Sequence, residues 1–309
     1  MSSAALHPAG RSALEPVPKL GVGLLYNPSL PEFLRERRDT FDYVEVIPEM
    51  FWTDLGPEAE GPRFVELEGW VAMLDWLVTQ CPVVAHNIGL SLGSADGFEP
   101  AYATHIEEWN RRYGFAWHSD HLSFVRVRTS DGHDHNAGLA VPVPYDHEIL
   151  DLVASRIEIV QREVAAPFLL ENSVSFIDLP EQELTEPAFL NGVASRTGCR
   201  LLLDLHNVYV NARNHGFDAL AFVEELQLDH VGEIHIAGGS ELAGMYTDSH
   251  AGPCPEPVWE LLEWVVPRAP NLGGITFEFH DSYYAVLKAD GIARELARAR
   301  DIWARSHPR

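Results

Sequence analysis

Eight short apolar runs, each followed by a longer stretch with helical spacing, limit what this chain can fold into more than any other feature. The runs are Leu20–Leu25, Tyr43–Ile47, Val83–His86, Phe115–Ser119, Phe168–Glu171, Leu201–Asp204, Glu233–Ile236 and Gly274–Phe279. Each is bounded by polar or turn residues, as strands are. The intervening periodicity predicts helices over Pro31–Arg38, Phe64–Gln80, Ala101–Tyr113, Asp146–Val164, Glu186–Thr197, Asp218–Leu226 and Pro255–Ala269, and a last one near Gly291–Arg305. Thr185-Glu186-Pro187 and Pro255-Glu256-Pro257 put proline in a first turn, where an amide donor has no partner to lose. Strict alternation of strand and helix gives an α/β fold, and eight of each fit a closed (β/α)8 TIM barrel. An open doubly wound sheet stays as the alternative, because periodicity does not reveal closure.

The 309 residues match one barrel, which commonly takes about 250 or more. We expect a flexible leader over 1–19, rich in Ser, Ala and Pro, and a single catalytic domain over 20–309. The leader has no basic start followed by an apolar run, so it does not read as a signal peptide. No apolar stretch approaches the roughly 20 residues that span a bilayer. Three widely separated cysteines, Cys81, Cys199 and Cys254, fit reduced thiols in a cytoplasm better than a disulfide framework. A net charge of −24 without any basic run disfavours nucleic acid as a partner.

Metal-competent side chains fall at the ends of six of the eight runs: His86, Asp120-His121, Glu171-Asn172, Asp204 with His206 and Asn207, His235, and Glu278 with His280. In a barrel these ends converge on one face. Asn214-His215-Gly216 and Asp248-Ser249-His250 are placed in loops of the same face. Any one histidine, such as His280, His118 or His105, is more often a hydrogen-bonded structural residue than a ligand. The set as a whole resists that explanation, since burying so many ionisable groups without cations costs several kcal/mol per ion. Imidazoles mixed with carboxylates suit iron, manganese or zinc better than calcium or magnesium, and their number implies more than one ion. The long segment Val125–Pro144, with Asp131, His133, Asp134 and His135, reads equally as a lid or as a surface loop. Gly89-Leu90-Ser91-Leu92-Gly93 is only a loose echo of a serine nucleophile elbow, and Gly93-Ser94-Ala95-Asp96-Gly97 lacks the lysine of a phosphate loop.

Taken in order, His86-Asn87-Ile88-Gly89, Ser119-Asp120-His121-Leu122, Leu170-Glu171-Asn172, Asp204-Leu205-His206-Asn207-Val208-Tyr209, Asn214-His215-Gly216-Phe217-Asp218, Gly232-Glu233-Ile234-His235 and Asp248-Ser249-His250 resemble the motifs of one family, the multinuclear non-haem iron-dependent oxidative enzymes (MNIO). The resemblance runs from about Gly21 to Asp301. It implies a xylose-isomerase-like barrel with two or three iron ions in mixed Fe(II)/Fe(III) states, and dioxygen as co-substrate. The ligands it implies are His86, His121, Glu171, Asp204, Asn207, His215, His235, Asp248, His250 and Glu278, with Asp120 and Asp248 as candidate catalytic carboxylates. The substrate it implies is a ribosomally synthesised precursor peptide modified at cysteine, with a partner protein that recognises the leader peptide. Ile47-Pro48-Glu49-Met50 stands where relatives commonly have His-Pro-Glu-Asn, and His206 stands where many have Asn.

The main rival keeps the barrel and changes the chemistry to a divalent-metal sugar isomerase or epimerase. That reaction needs a second acid or base near the sugar carbons, and the lysines, Lys19 and Lys288, lie outside the strand ends. An endonuclease-four-like enzyme is disfavoured by the charge, and a metal-storage or peptide-binding module would take up metal without turnover.

Overall fold

The computed structural model describes residues 16–96, 98–128, 134–177, 179 and 182–307. Eight parallel strands close into a barrel: β1 (Gly21–Leu25), β2 (Tyr43–Val46), β3 (Val83–His86), β4 (His118–His121), β5 (Phe168–Glu171), β6 (Arg200–Asp204), β7 (Val231–Ala237) and β8 (Gly274–Glu278). Each strand pairs with its sequence neighbours, and β1 closes the ring on β8 in the register Gly21↔Gly274 to Leu24↔Phe277. Helices cover the outside, so the strands are buried on both faces and read as short apolar runs. No helix among the described residues is long and apolar enough to cross a membrane.

The period of two along each strand sorts the barrel interior into levels. Tyr43, Val84, Trp117, Leu169 and Leu202 form a cluster of their own, separate from the strand–helix core, and plug the N-terminal end of the barrel. Two residues further along the same strands come Glu45, His86, Ser119, Glu171 and Asp204. One strand therefore supplies both an apolar floor and a polar residue above it. The Tyr43 ring fits because its neighbours at Gly23 and Gly274 have no side chain; a Cβ would lie 2.7 Å from the ring at Gly23 and 2.4 Å from the hydroxyl at Gly274.

Several predicted boundaries are corrected. The fourth strand is His118–His121 instead of Phe115–Ser119, because the ladder begins only where His118 meets Ala85 and Phe168. Phe64–Glu66 pairs antiparallel with Trp52–Asp54, and the helix is confined to Glu68–Leu77. Arg63, bonded to Asp54 at 2.7 and 2.8 Å and paired with Glu99 at 2.6 Å, holds that edge extended. The last helix starts earlier, at Tyr284, and runs to Ser306 with a non-helical Lys288 inside. A helix over Leu205–His215 is entirely unpredicted; Asp204 caps it by accepting from the Asn207 amide at 2.7 Å.

The segment read as lid or loop is an antiparallel hairpin, Phe124–Arg128 with Asp134–Val141. Its first strand is tied down by Ser91, whose hydroxyl accepts from the amides of Val125 and Arg126 at 3.0 and 3.1 Å. Asp131, His133 and residues 1–15 of the leader lie outside the described residues, as do the side chains of Asp134 and His135. The three cysteines are buried.

Candidate metal centre

The C-terminal ends of β3 to β8 carry an arc of donor atoms. His86 ends β3, and its Nδ1 is 2.8 Å from the Ser119 hydroxyl, which turns Nε2 inward to 3.4 Å from Glu171 Oε2. His121 ends β4 and brings its Nε2 to 3.2 Å from the same oxygen. Glu171 ends β5 and shares a second grouping with Asp204 and His235, in which the potential ligand atoms all lie within 4.8 Å of one another. His235 Nδ1 is 3.2 Å from Glu278 Oε2, which is itself 3.6 Å from His250 Nε2. The arc ends at Asp248, whose Oδ1 lies 3.1 Å from His250 Nε2 and 2.8 Å from His206 Nδ1.

These approaches are short, yet several are not hydrogen bonds. Glu171 Oε2, both ring nitrogens of His235, His206 Nε2 and Asn207 Oδ1 are buried without a hydrogen-bond partner. Orphaned buried polar atoms cost about 1–3 kcal/mol each or more, and so demand an explanation. Donor atoms about 2.1 Å from a common cation stand roughly 3.0–3.4 Å from one another, the spacing seen along the arc. The residues therefore fit a group of cations at the barrel mouth.

The electrostatics agree. Burial pushes Glu171 up to about 8, which His121 and His235 offset only in part. Burial opposes a charge on His121 and His250, but neighbouring carboxylates outweigh it and lift them to about 9 and about 10. His86 is driven well below its ordinary value by burial and by the imidazoles of His121, His235 and His250. Asp248 goes the other way: burial raises it, and His250 and His206 more than reverse that. Such a cluster holds protons where cations would otherwise sit.

Two expected residues take other positions. The helix Leu205–His215 carries His215 about 16 Å along its axis from Asp204. There His215 Nε2 lies 2.8 Å from the Ser175 carbonyl oxygen, and the residue lines a separate cavity of about 190 Å³ with Tyr145 and Glu186. Asp120 sits behind His121, its two oxygens accepting from the amides of Leu90 at 2.9 Å and His121 at 2.7 Å. Asn207, one turn into the same helix as His215, stays close; its amide donates to Glu171 Oε1 at 3.3 Å and to the Asn172 carbonyl at 3.1 Å.

Sequence reasoning missed a layer beneath the arc. Glu45 and Glu233 are fully buried, and Glu45 Oε2 lies 3.0 Å from His235 Nε2. Glu233 is satisfied by Trp117 Nε1 at 2.6 Å, the Thr276 hydroxyl at 2.7 Å and the Tyr43 hydroxyl at 3.1 Å. Both oxygens of Glu45 lack a hydrogen-bond partner, and its carboxyl is raised well above its ordinary value by burial and by Glu233. The available signal was a charged residue inside a buried apolar run, as in Tyr43-Val44-Glu45-Val46.

His86, His121, His250 and Glu278 also form the floor of a cavity of about 430 Å³. His250 adopts a left-handed backbone, φ 49°, a strained state that clusters at functional sites.

The chain's similarities agree with this picture. It is 33% identical over 291 residues to a UPF0276 protein of Caulobacter vibrioides, covering 94% of this chain and 96% of the relative. Its fold is similar to D-psicose 3-epimerase from Clostridium cellulolyticum H10 (TM-score 0.55, 11% identity, 93% of this chain and 99% of that one). It is also similar to a xylose isomerase-like TIM barrel protein from Mycobacterium smegmatis solved with magnesium (TM-score 0.51, 14% identity, 88% of each chain). At these identities the two structures speak to the fold alone. A family model described as "RiPP precursor modification enzyme MbnB/TglH/ChrH", where RiPP denotes a ribosomally synthesised and post-translationally modified peptide, matches residues 19–304. The chain belongs to this family of RiPP precursor modification enzymes.

Proposed function

We propose that the protein oxidises a ribosomally made precursor peptide at cysteine, using dioxygen and two or three iron ions held at the barrel mouth. The observation that carries this reading is the continuous arc of imidazole and carboxylate donors with orphaned inward atoms, in a member of a precursor-modifying family. His86, His121 and Glu171 would hold one ion; Glu171, Asp204, His235 and Glu278 a second; Asp248 and His250, with His206 or Asn207, a third. His215, which the family resemblance would include, is left out on its distance from the arc. When bound, the ions supply Lewis acidity toward a thiolate and one-electron chemistry with dioxygen.

The chain's own residues position this chemistry. Ser119 orients the His86 ring, and Asp204 is held in place as the cap of its helix. Asp120, with both oxygens accepting from backbone amides, fixes the His121 backbone and is not among the residues that line the cavity. Asp248, held low by two imidazoles, is a poor proton acceptor and a good ligand. Glu45 faces the ring nitrogen of His235 opposite Glu278 and so sets which nitrogen points to the centre. Glu45→Ala is expected to weaken metal binding roughly 10–100-fold, with partial recovery in Glu45→Gln. Chelator competition with circular dichroism as a fold control measures this, and unchanged affinity in the Ala variant removes the role.

The reading is tested by elemental analysis and Mössbauer spectroscopy on protein purified without chelator, followed by oxygen uptake with cysteine-bearing peptides encoded beside the gene. Two or three irons per chain and peptide-dependent uptake are expected, and a leader-recognising partner protein should raise the rate. Stoichiometric zinc, manganese or magnesium that persists through anaerobic iron reconstitution would overturn it. The epimerase barrels share the fold, and fold alone does not carry chemistry.

A further inference from the structure

The cavity above the arc has two unlike sides. Its floor is made of His86, His121, His250 and Glu278, while one wall is built from Ile47, Met50 and Ile88. Ile88 is 43% exposed, and Ile47 and Met50 are half-buried, so three flexible apolar side chains face open space beside an ionic cluster. The lining also includes His280 and Asp281; His280 Nδ1 lies 2.7 Å from the Ser282 hydroxyl and 3.1 Å from Asp281 Oδ1. Asn27, also on the lining, is committed to the Phe279 carbonyl and to Ser29. Among the described residues, no lysine or arginine lines the cavity. The histidines of the floor, and any cations they hold, face a group that enters the metal centre; a charged or polyhydroxylated side chain laid against Ile47, Met50 and Ile88 would instead be desolvated without a partner.

Resting on the peptide reading above, we propose that Ile47, Met50 and Ile88 form a subsite for an uncharged apolar side chain, carried by a residue next to the one that reaches the metal centre. A volume of about 430 Å³ holds a reacting side chain and one neighbour together. In an extended peptide successive side chains point to opposite faces, so the two enter the same cavity where the segment bends or ends, their backbone positions only about 3.3 Å apart. Burying a leucine-sized group against the wall favours it over a charged one by at least about tenfold in affinity.

The test uses the full chain loaded with zinc and labelled at the methionine methyls, of which the sequence has four, with the Met50 signal assigned through Met50→Leu. The probes are the blocked dipeptides acetyl-Cys-Leu-amide, acetyl-Cys-Asp-amide and acetyl-Ser-Leu-amide. Acetyl-Cys-Leu-amide is expected to shift the Met50 methyl and to bind at least about tenfold more tightly than its Asp counterpart. Ile88→Asn, at an exposed position that folding tolerates, should bring that ratio toward one with metal content unchanged. Equal affinity for Leu and Asp, binding that leaves the Met50 methyl unmoved, or no binding by any of the three overturns the subsite. If acetyl-Ser-Leu-amide binds as well as the cysteine peptide, the apolar subsite stands and the thiol chemistry is what fails.

Discussion

Glu171→Ala is expected to strip the centre of bound metal and to reduce the proposed peptide-dependent oxygen uptake to background, while the fold survives. Glu171 is the residue shared by two of the donor groupings, His86 with His121 and Asp204 with His235. Its loss therefore opens two adjacent coordination spheres at once, and exceeds the roughly 10–100-fold cost of losing an outer-shell partner. The metal-free protein should tolerate the change. Burial holds the Glu171 carboxyl at about 8, so in the absence of cations this side chain is a liability to folding. Thermal unfolding of the metal-free variant should occur at or above the wild-type temperature, and its metal-induced stabilisation should be largely gone. A variant with wild-type metal content, or one that unfolds well below the metal-free wild type, would show that Glu171 serves the fold instead.

The second large effect is a pH dependence that changes sign with metal. His121 and His250 have folded-state values of about 9 and about 10, above the ordinary 6.5. Their contribution to stability is fully present below pH 6.5 and lost as pH rises through those values. Glu171 adds to the trend, because its carboxyl at about 8 keeps a proton that the unfolded chain gives up near 4.5. Metal-free protein should thus lose on the order of a few kcal/mol between pH 6.5 and 10, each pKa unit being worth about 1.4 kcal/mol. Loaded protein should gain over the same range, since cations displace these protons and bind more tightly as pH rises. The depressed Asp248 acts only below its ordinary 3.8 and does not enter this window. Unfolding temperatures at pH 6.5, 8 and 9.5, with and without metal, measure both slopes; parallel slopes would mean that cations do not occupy the histidines.

The barrel was readable because most of its strands are short apolar runs, several of them closed by a polar residue, and a period of two carries Val84 to His86 and Leu169 to Glu171 along a single inward face. What escaped the reading has physical reasons. The helix Leu205–His215 begins directly on the last residue of β6, with no Gly or Pro to mark the junction, so its polar residues read as loop. His215, which the family resemblance placed among the ligands, sits at the far end of this helix, whereas His206, in its first turn, lies against Asp248. Glu45 and Glu233 were hidden because single charges inside apolar runs resemble interruptions until the alternation of faces is known. The strand Phe64–Glu66 is held by Arg63 to partners distant in sequence, which local periodicity does not register.

The plug of Tyr43, Trp117 and their neighbours makes the barrel a dead end. A polypeptide cannot be threaded through it and released behind; whatever reaches the donors at its mouth must return by the way it came. Only a chain terminus or a bent segment can present a side chain there, and in the proposed reaction dioxygen would share that passage with it. The order in which the two arrive would then be set by shape, with the smaller one admitted first or trapped beneath the larger.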